Sequence, residues 1–528
     1  MGSVRGTRIL AAISITIAAL LAGAGGAAAS PGAHPGTARG LVAPTADGLV
    51  QGKASGTMDE YLGIPYAAPP VGALRWQPPR PAAPWRGVRE ATAFAPHCPQ
   101  PASPFGVASS SEDCLYLNVF APAGARTANL PVMVWIHGGS LLVGESDDFN
   151  PAPLVRHGVV VVTINYRLGA LGFLADAALA GQPGGSSGDY GLMDQRAALR
   201  WVQRSIRGFG GNPRNVTVSG ESAGGASTLA QLASPGARGL FQRAIVESGT
   251  YELTQQSQAS AESSGAAFAA KVGCSGSDTV IASCLRGLPV ATVLDNEDIS
   301  GYDPTIDDAV LPQSIGTALA SGQFNHVPVV IGTNHDEYRL FVGLAEAEGD
   351  PPVTAANYDT YISGALGVSA SAAAVIADEY PVSGYSSPAV ALGAVGTDAI
   401  FACNALTADD DLSRYVPTYA YEFNDENAPD RFLPSFGFPY GAAHDFETQY
   451  LFDLSNTPYP GTLSASQQLL SQAMTRDWTN LARTGAPAAG WPRWAAADQR
   501  TLSLVPPGPR LETDYAAEHH CSFWNGGS

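Results

Sequence analysis

Lysine is almost missing from this chain. Two occur in 528 residues, Lys53 and Lys271, so arginine carries nearly all the positive charge, and the net charge is −19. A chain this acidic is repelled by phosphate backbones and anionic lipid surfaces, which excludes nucleic acid and a charge-held membrane contact as expected partners. No C-x-x-C pair occurs, so a thiolate metal cluster is not expected. No long linker, charge run or internal repeat divides the sequence, and one domain is expected over residues 30–528.

The N-terminus stands apart. Arg5 and Arg8 precede an apolar run from Ile9 to Ala22, and Ala27-Ala28-Ala29 offers a small-residue cleavage site. Residues 1–29 therefore read as a secretory signal, too short to span a bilayer comfortably. No twin arginine occurs and no cysteine precedes Cys98, so a secreted product without a lipid anchor or membrane insertion is expected. Six cysteines in a secreted chain invite disulfides, with fifteen pairings open. Cys98 and Cys114 are close in sequence, as are Cys274 and Cys284, whereas Cys403 with Cys521 would close a long loop.

Leu41 to Ala67 has the alternation of a hairpin-rich edge, and proline clusters at Pro69-Pro70 and Pro78 to Pro84 follow as a surface excursion. From Glu112 the pattern changes to apolar strands separated by helices. Pro131 to Ile136, Val159 to Asn165, Val216 to Val218, Ala244 to Ser248, Pro328 to Ile331 and Thr418 to Phe423 are the candidate strands. Unalternating β-branched runs suit strands covered on both faces, which predicts a largely parallel α/β sheet. Gln195 to Arg204 fits a helix, and the Ala/Ser-rich stretches 253–300 and 340–415 are helical in tendency, placed to cap the sheet's carboxyl edge.

One stretch organises the rest. Val216-Thr217-Val218 runs into Gly220-Glu221-Ser222-Ala223-Gly224, and Ala226 to Ala230 can continue as a helix. This is the strand–turn–helix setting in which a G-x-S-x-G elbow lifts a serine hydroxyl clear of a sheet edge. The pattern alone proves little, because with 59 glycines roughly half a match is expected by chance. Gly184-Gly185-Ser186-Ser187-Gly188 also fits it, but in a Gly/Pro/Ser-rich loop with no strand before it and no obvious helix after it. That copy reads as a flexible surface loop.

A serine nucleophile needs a base, an acid to orient the base, and donors for the oxyanion. In α/β-hydrolases the order is serine, acid, histidine. The run Pro328 to Ile331 ends in Gly332 to Glu337, which places Asp336 and Glu337 just past a strand's carboxyl end, and physics alone does not choose between them. Of nine histidines only His444, His519 and His520 lie downstream of that acid. His519 and His520 abut Cys521, whereas His444 lies in a loop beyond the strand ending at Phe423. Trp135 to Ser140 leaves a strand into glycines, and with the amide of Ala223 it offers oxyanion donors.

These residues resemble the type-B carboxylesterases, the family that includes cholinesterases, cholesterol esterases and bacterial para-nitrobenzyl esterases. The resemblance runs from about residue 40 to 521. Tyr61 to Ala67, Leu74-Arg75-Trp76, Ser111 to Asn118, Asn165 to Gly169, Asp194-Gln195, Phe209 to Pro213 and Gly220 to Gly225 follow in family order. It implies the α/β-hydrolase fold, Ser222 as nucleophile, Glu337 as acid, His444 as base, and Gly139, Ser140 and Ala223 as oxyanion amides, with Gly138 opening the turn. It also implies disulfides Cys98–Cys114, Cys274–Cys284 and Cys403–Cys521, the last worth up to about 4–5 kcal/mol in the chain-entropy model. Arg75–Glu112 and Arg167–Asp194 are implied as internal ion pairs, and Glu221 as a charge beside the imidazolium. Three departures stand out: Ser140 replaces the usual Gly or Ala, and Tyr338 follows Glu337 where glycine is common. The Cys98–Cys114 segment is short, without tryptophan, and Phe105 is its only aromatic.

The expected protein is a secreted serine ester hydrolase for small to medium neutral esters, working through an acyl-enzyme without metal or organic cofactor. Two other readings compete with it. A non-catalytic binding domain on the same scaffold would lack a triad residue. A lipase or sterol esterase would want a larger apolar mouth, and the stretches 253–300 and 340–415 are not strongly apolar.

Overall fold

A computed structural model describes residues 41–181, 186–298, 302–307 and 309–526. The secretory signal read over residues 1–29 lies outside them, as do Gly184 and Gly185 of the second G-x-S-x-G copy. In that copy Ser187 is buried and its hydroxyl bonds both to the amide and to the carbonyl of Asp176, at 2.8 and 2.9 Å. A helix, Tyr190–Ser205, follows directly. The expectation of a flexible surface loop without a following helix therefore fails at this end of the segment, because hydrogen bonding to Asp176 pins Ser187.

The strands form one large sheet whose centre is parallel. Val160–Ile164, Leu130–Ile136, Gly211–Glu221, Arg243–Glu247, Val329–Asn334, Thr418–Phe423 and Thr501–Leu504 lie side by side in that order. Antiparallel strands extend both edges: Tyr116–Pro122, Met58–Pro65, Leu49–Ser55 and Leu41–Pro44 on one side, and Arg510–Glu512 on the other. Ile136 pairs with Gly220, Gly220 with Val246, and Val246 with Ile331. The carboxyl ends of these central strands thus align, and the chain leaves each of them on the same edge of the sheet.

Side-chain alternation along buried strands gives each sheet face its own core. Val132, Val134 and Ile136 join Val216, Val218 and the helices Tyr190–Ser205 and Ala223–Ala233 on one face. Met133, Trp135 and Val161 face the other way, toward Tyr338–Ala347, Tyr358–Leu366, Pro388–Gly396 and Ala465–Thr484. The run Pro388–Ser413 is long and apolar enough to cross a bilayer, but 78% of its most apolar window is buried inside the fold. The structure joins Cys98 to Cys114, Cys274 to Cys284 and Cys403 to Cys521. Arg75 grips Glu112, and Arg167 makes a two-pronged bond to Asp194 at 2.7 and 2.8 Å.

Candidate active site

Ser222 stands where strand Gly211–Glu221 turns into helix Ala223–Ala233. Its backbone has φ 53° and ψ −121°, a conformation that L-residues avoid and that the surroundings must hold in place. They do so closely. A Cβ on Gly224 would come 1.9 Å from the carbonyl oxygen of Ile136, and one on Gly220 would meet the Gly224 backbone at 2.5 Å. Only glycine lets strand and helix approach this tightly. The Ser222 amide donates to the Glu247 carbonyl at 2.9 Å, tying the turn to the neighbouring strand.

The turn after strand Leu130–Ile136 comes to the same place. A Cβ on Gly138 would lie 3.0 Å from Ser222 Cβ, so this loop is packed against the serine. Gly139, Ser140 and Leu141 follow with φ of 91°, 56° and 62°, and the Gly139 carbonyl accepts from the amides of Leu142 and Val143 at 2.9 and 3.0 Å. That left-handed run carries the backbone out of the strand. Ala223 opens a helix, so its amide is one of those without an intrahelical acceptor.

Glu337 sits at the start of helix Tyr338–Ala347, past the end of strand Val329–Asn334, and is completely buried. Its Oε1 accepts from the Asn334 amide at 2.8 Å, which aims Oε2 at His444 Nδ1, 2.5 Å away. The other imidazole nitrogen, Nε2, has no hydrogen-bond partner among the described residues, and Ser222 Oγ is not bonded to it here. Phe341 and Phe401 flank the ring, each with its centroid 5.1 Å from that of His444. Phe401 is carried on a π-helical turn, Thr397–Ala402, of the kind that often re-aims side chains at functional sites.

Asp336, the alternative acid, turns elsewhere. Its Oδ2 accepts from the Ala442 amide at 2.9 Å and its Oδ1 lies 2.7 Å from Arg339. Burial alone would raise this carboxyl, but His335 and Arg339 outweigh it and hold it below the usual range. His519 has both nitrogens engaged, with Asp398 and Glu422 at 2.6 Å each, and no free nitrogen is left to act as a base.

Glu221 Oε1 stands 3.2 Å from His444 Nε2 without a hydrogen bond between them. Burial, reinforced by the charges of Asp445, Glu447, Glu337 and Glu247, pushes its carboxyl well above the usual range. The position matches the expectation of a group beside the imidazolium. Burial likewise drives Glu447 up, and Glu247 to about 8. Sequence reasoning missed Phe341, Phe401, Glu247 and Glu447. No local pattern marks them, since tertiary packing alone brings them to the site.

Comparison with known proteins gives the family. Residues 39–524 match the model of the carboxylesterase family. A para-nitrobenzyl esterase from Bacillus subtilis is 35% identical over 488 residues, covering 88% of this chain and 94% of the relative. An acylcarnitine hydrolase from Mus musculus is 36% identical over 466 residues, covering 83% of this chain and 81% of the relative. A solved PNB esterase superposes with a TM-score of 0.77 at 32% identity, covering 91% of this chain and 98% of that one.

Proposed function

The chain belongs to the carboxylesterase family and is a carboxylic ester hydrolase, and from that premise we propose that Ser222, His444 and Glu337 form its catalytic triad. His444 Nε2 takes the proton as Ser222 Oγ attacks the ester carbonyl, and Glu337 accepts the Nδ1–H bond that fixes the tautomer. The amides of Gly139, Ser140 and Ala223 hold the oxyanion of the tetrahedral intermediate. The alcohol leaves, water enters with His444 again acting as base, and the acid is released from the acyl-enzyme. Glu221 Oε1, 3.2 Å from His444 Nε2, lies beside the ring where positive charge develops.

The observation that carries this reading is the asymmetry of His444: Nδ1 is locked at 2.5 Å to Glu337, and Nε2 is free beside the strained Ser222 turn. The substrates are small to medium neutral esters, in keeping with a relative named for a para-nitrobenzyl ester. The protein is a secreted single domain over residues 30–528 with its signal at 1–29, a reading the three disulfides support. Ser222→Ala tests the assignment. Turnover should fall by several orders of magnitude, leaving residual catalysis from the oxyanion donors, and organophosphate labelling should vanish. Labelling at Ser186, or undiminished activity, would overturn it.

A further inference from the structure

Away from the triad, His97, Glu145 and Asp147 converge between the first disulfide loop and the segment after the proposed oxyanion turn. His97 precedes Cys98, and Glu145 directly follows the turn that ends at Gly144. One ligand-capable atom from each of the three lies within 4.8 Å of the others. His97 Nδ1 is 3.1 Å from Glu145 Oε2 and its Nε2 is 2.9 Å from Asp147 Oδ1. We propose that these three side chains bind a divalent transition-metal ion of the zinc class.

Two independent observations point to a cation there. Glu145 is 0% exposed, and its Oε1 has no hydrogen-bond partner among the described residues. A buried carboxylate oxygen left unpaired is costly, and Oε2 alone is served, by the Val107 amide at 2.8 Å. The second observation is charge. Asp148 adjoins the group, with Asn456 as its side-chain partner, and burial pushes its carboxyl to about 8 and that of Glu145 to about 7. No lysine or arginine pairs with any of them among the described residues.

The donor set selects the ion. One imidazole nitrogen with two carboxylates suits zinc, whereas calcium and magnesium favour oxygen ligands alone. On binding, the metal takes one His97 nitrogen and one carboxylate oxygen each from Glu145 and Asp147, and the proton shared on that nitrogen is released to solvent. Gln100 already brackets Gly144 with bonds at 2.7 and 3.0 Å. A metal one residue further on would pin the disulfide loop to the turn at Gly139–Ser140. A metal here runs against the expectation of a protein without one, which rested on the absence of C-x-x-C and on a mechanism that needs no metal.

The test uses the full mature protein, stripped with a chelator and titrated calorimetrically with zinc chloride at about pH 7.5. One equivalent should bind saturably with release of a proton, and melting should shift upward by several degrees at roughly a hundredfold excess over Kd. His97→Gln and Asp147→Asn should each weaken binding by about tenfold or more. Asp147 is only half-buried, so its variant keeps the test open if His97→Gln fails to fold. Calcium chloride should bind more weakly than zinc. No saturable zinc binding by the unmodified protein, unchanged affinity in Asp147→Asn, or calcium binding as tight as zinc would each overturn the assignment.

Discussion

Glu337 and Asp336 are neighbours in sequence but their carboxylates serve opposite sides of the chain. Glu337 Oε2 meets His444 Nδ1 at 2.5 Å, while Asp336 accepts from Ala442 and pairs with Arg339 at 2.7 Å. The division is geometric: the turn that leads into helix Tyr338–Ala347, with Glu337 as its N-cap, points the two successive side chains in different directions.

That division predicts a reversed pair of phenotypes. Glu337→Gln should fold and lose about 10³–10⁴ in kcat, because the amide favours the wrong imidazole tautomer. Asp336→Asn should keep kcat within about tenfold and instead melt several degrees lower, having weakened the Arg339 pair. Steady-state kinetics and thermal melts on both proteins decide the matter. The opposite ranking in kcat would give the acid role to Asp336.

The C-terminal tail carries a proton-dependent lock. His519 is fully buried between Asp398 and Glu422, two residues from the cysteine that closes the longest disulfide loop. Burial opposes its charge, but the two carboxylates prevail and its pKa is raised to about 10, from an unfolded value near 6.5. A group raised in the folded state stabilises fully below its unfolded pKa. Its contribution is lost as pH rises toward the folded one. Melting temperature should therefore decline between about pH 7 and 10. His519→Gln should start lower at pH 7 and vary less over the same range. A variant that tracks the unmodified protein's pH profile in parallel would remove His519 as the cause.

Much of this architecture is written locally. Val216 to Val218 followed by Gly220-x-Ser222-x-Gly224 reads as a strand, a strained turn and a helix because each step needs only near neighbours. The central parallel strands were legible for the same reason, being apolar runs buried on both faces. The edges were harder. Thr501–Leu504 is too short to show a pattern, and Tyr116–Pro122 was visible only as part of a family motif. Helix Ala465–Thr484 went unread although Ser464 and Gln467 form a capping box that signals its start. The aromatic pair around His444 could not have been read at all. Phe341 and Phe401 belong to separate helices, and only packing brings both to one ring.

Ser140 predicts a limit on the alcohol half of the substrate. At φ 56° it holds a left-handed backbone that glycine would adopt without strain, and its side chain occupies room beside the proposed oxyanion amide. The unmodified enzyme should turn over tert-butyl acetate poorly relative to n-butyl acetate. Ser140→Gly should raise that ratio severalfold with no loss of thermal stability. Fast tert-butyl hydrolysis by the unmodified protein would refute the steric argument.

Charge in the substrate gives the last prediction. Cholinesterases, which this chain resembles, bind quaternary ammonium on a tryptophan face in the loop closed by the first disulfide. Here that loop runs from Cys98 to Cys114, and its one aromatic residue is Phe105. Phe105 is stacked on Phe432 with ring centroids 5.1 Å apart and packs against both hydrophobic cores, so a ring face that a cation would need is already covered. Cation–π contact contributes roughly 1–2 kcal/mol when desolvated, about tenfold in affinity, and phenylalanine is a weaker platform than tryptophan. The net charge of −19 attracts cations at long range, but salt screens this within about 8–10 Å. Choline acetate should therefore show no advantage over the neutral isostere 3,3-dimethylbutyl acetate in kcat/KM at about 0.15 M salt. A preference above about tenfold that disappears in Phe105→Ala would mean that the ring leaves Phe432 to meet the substrate, and the stacked pair would then be a gate for cations.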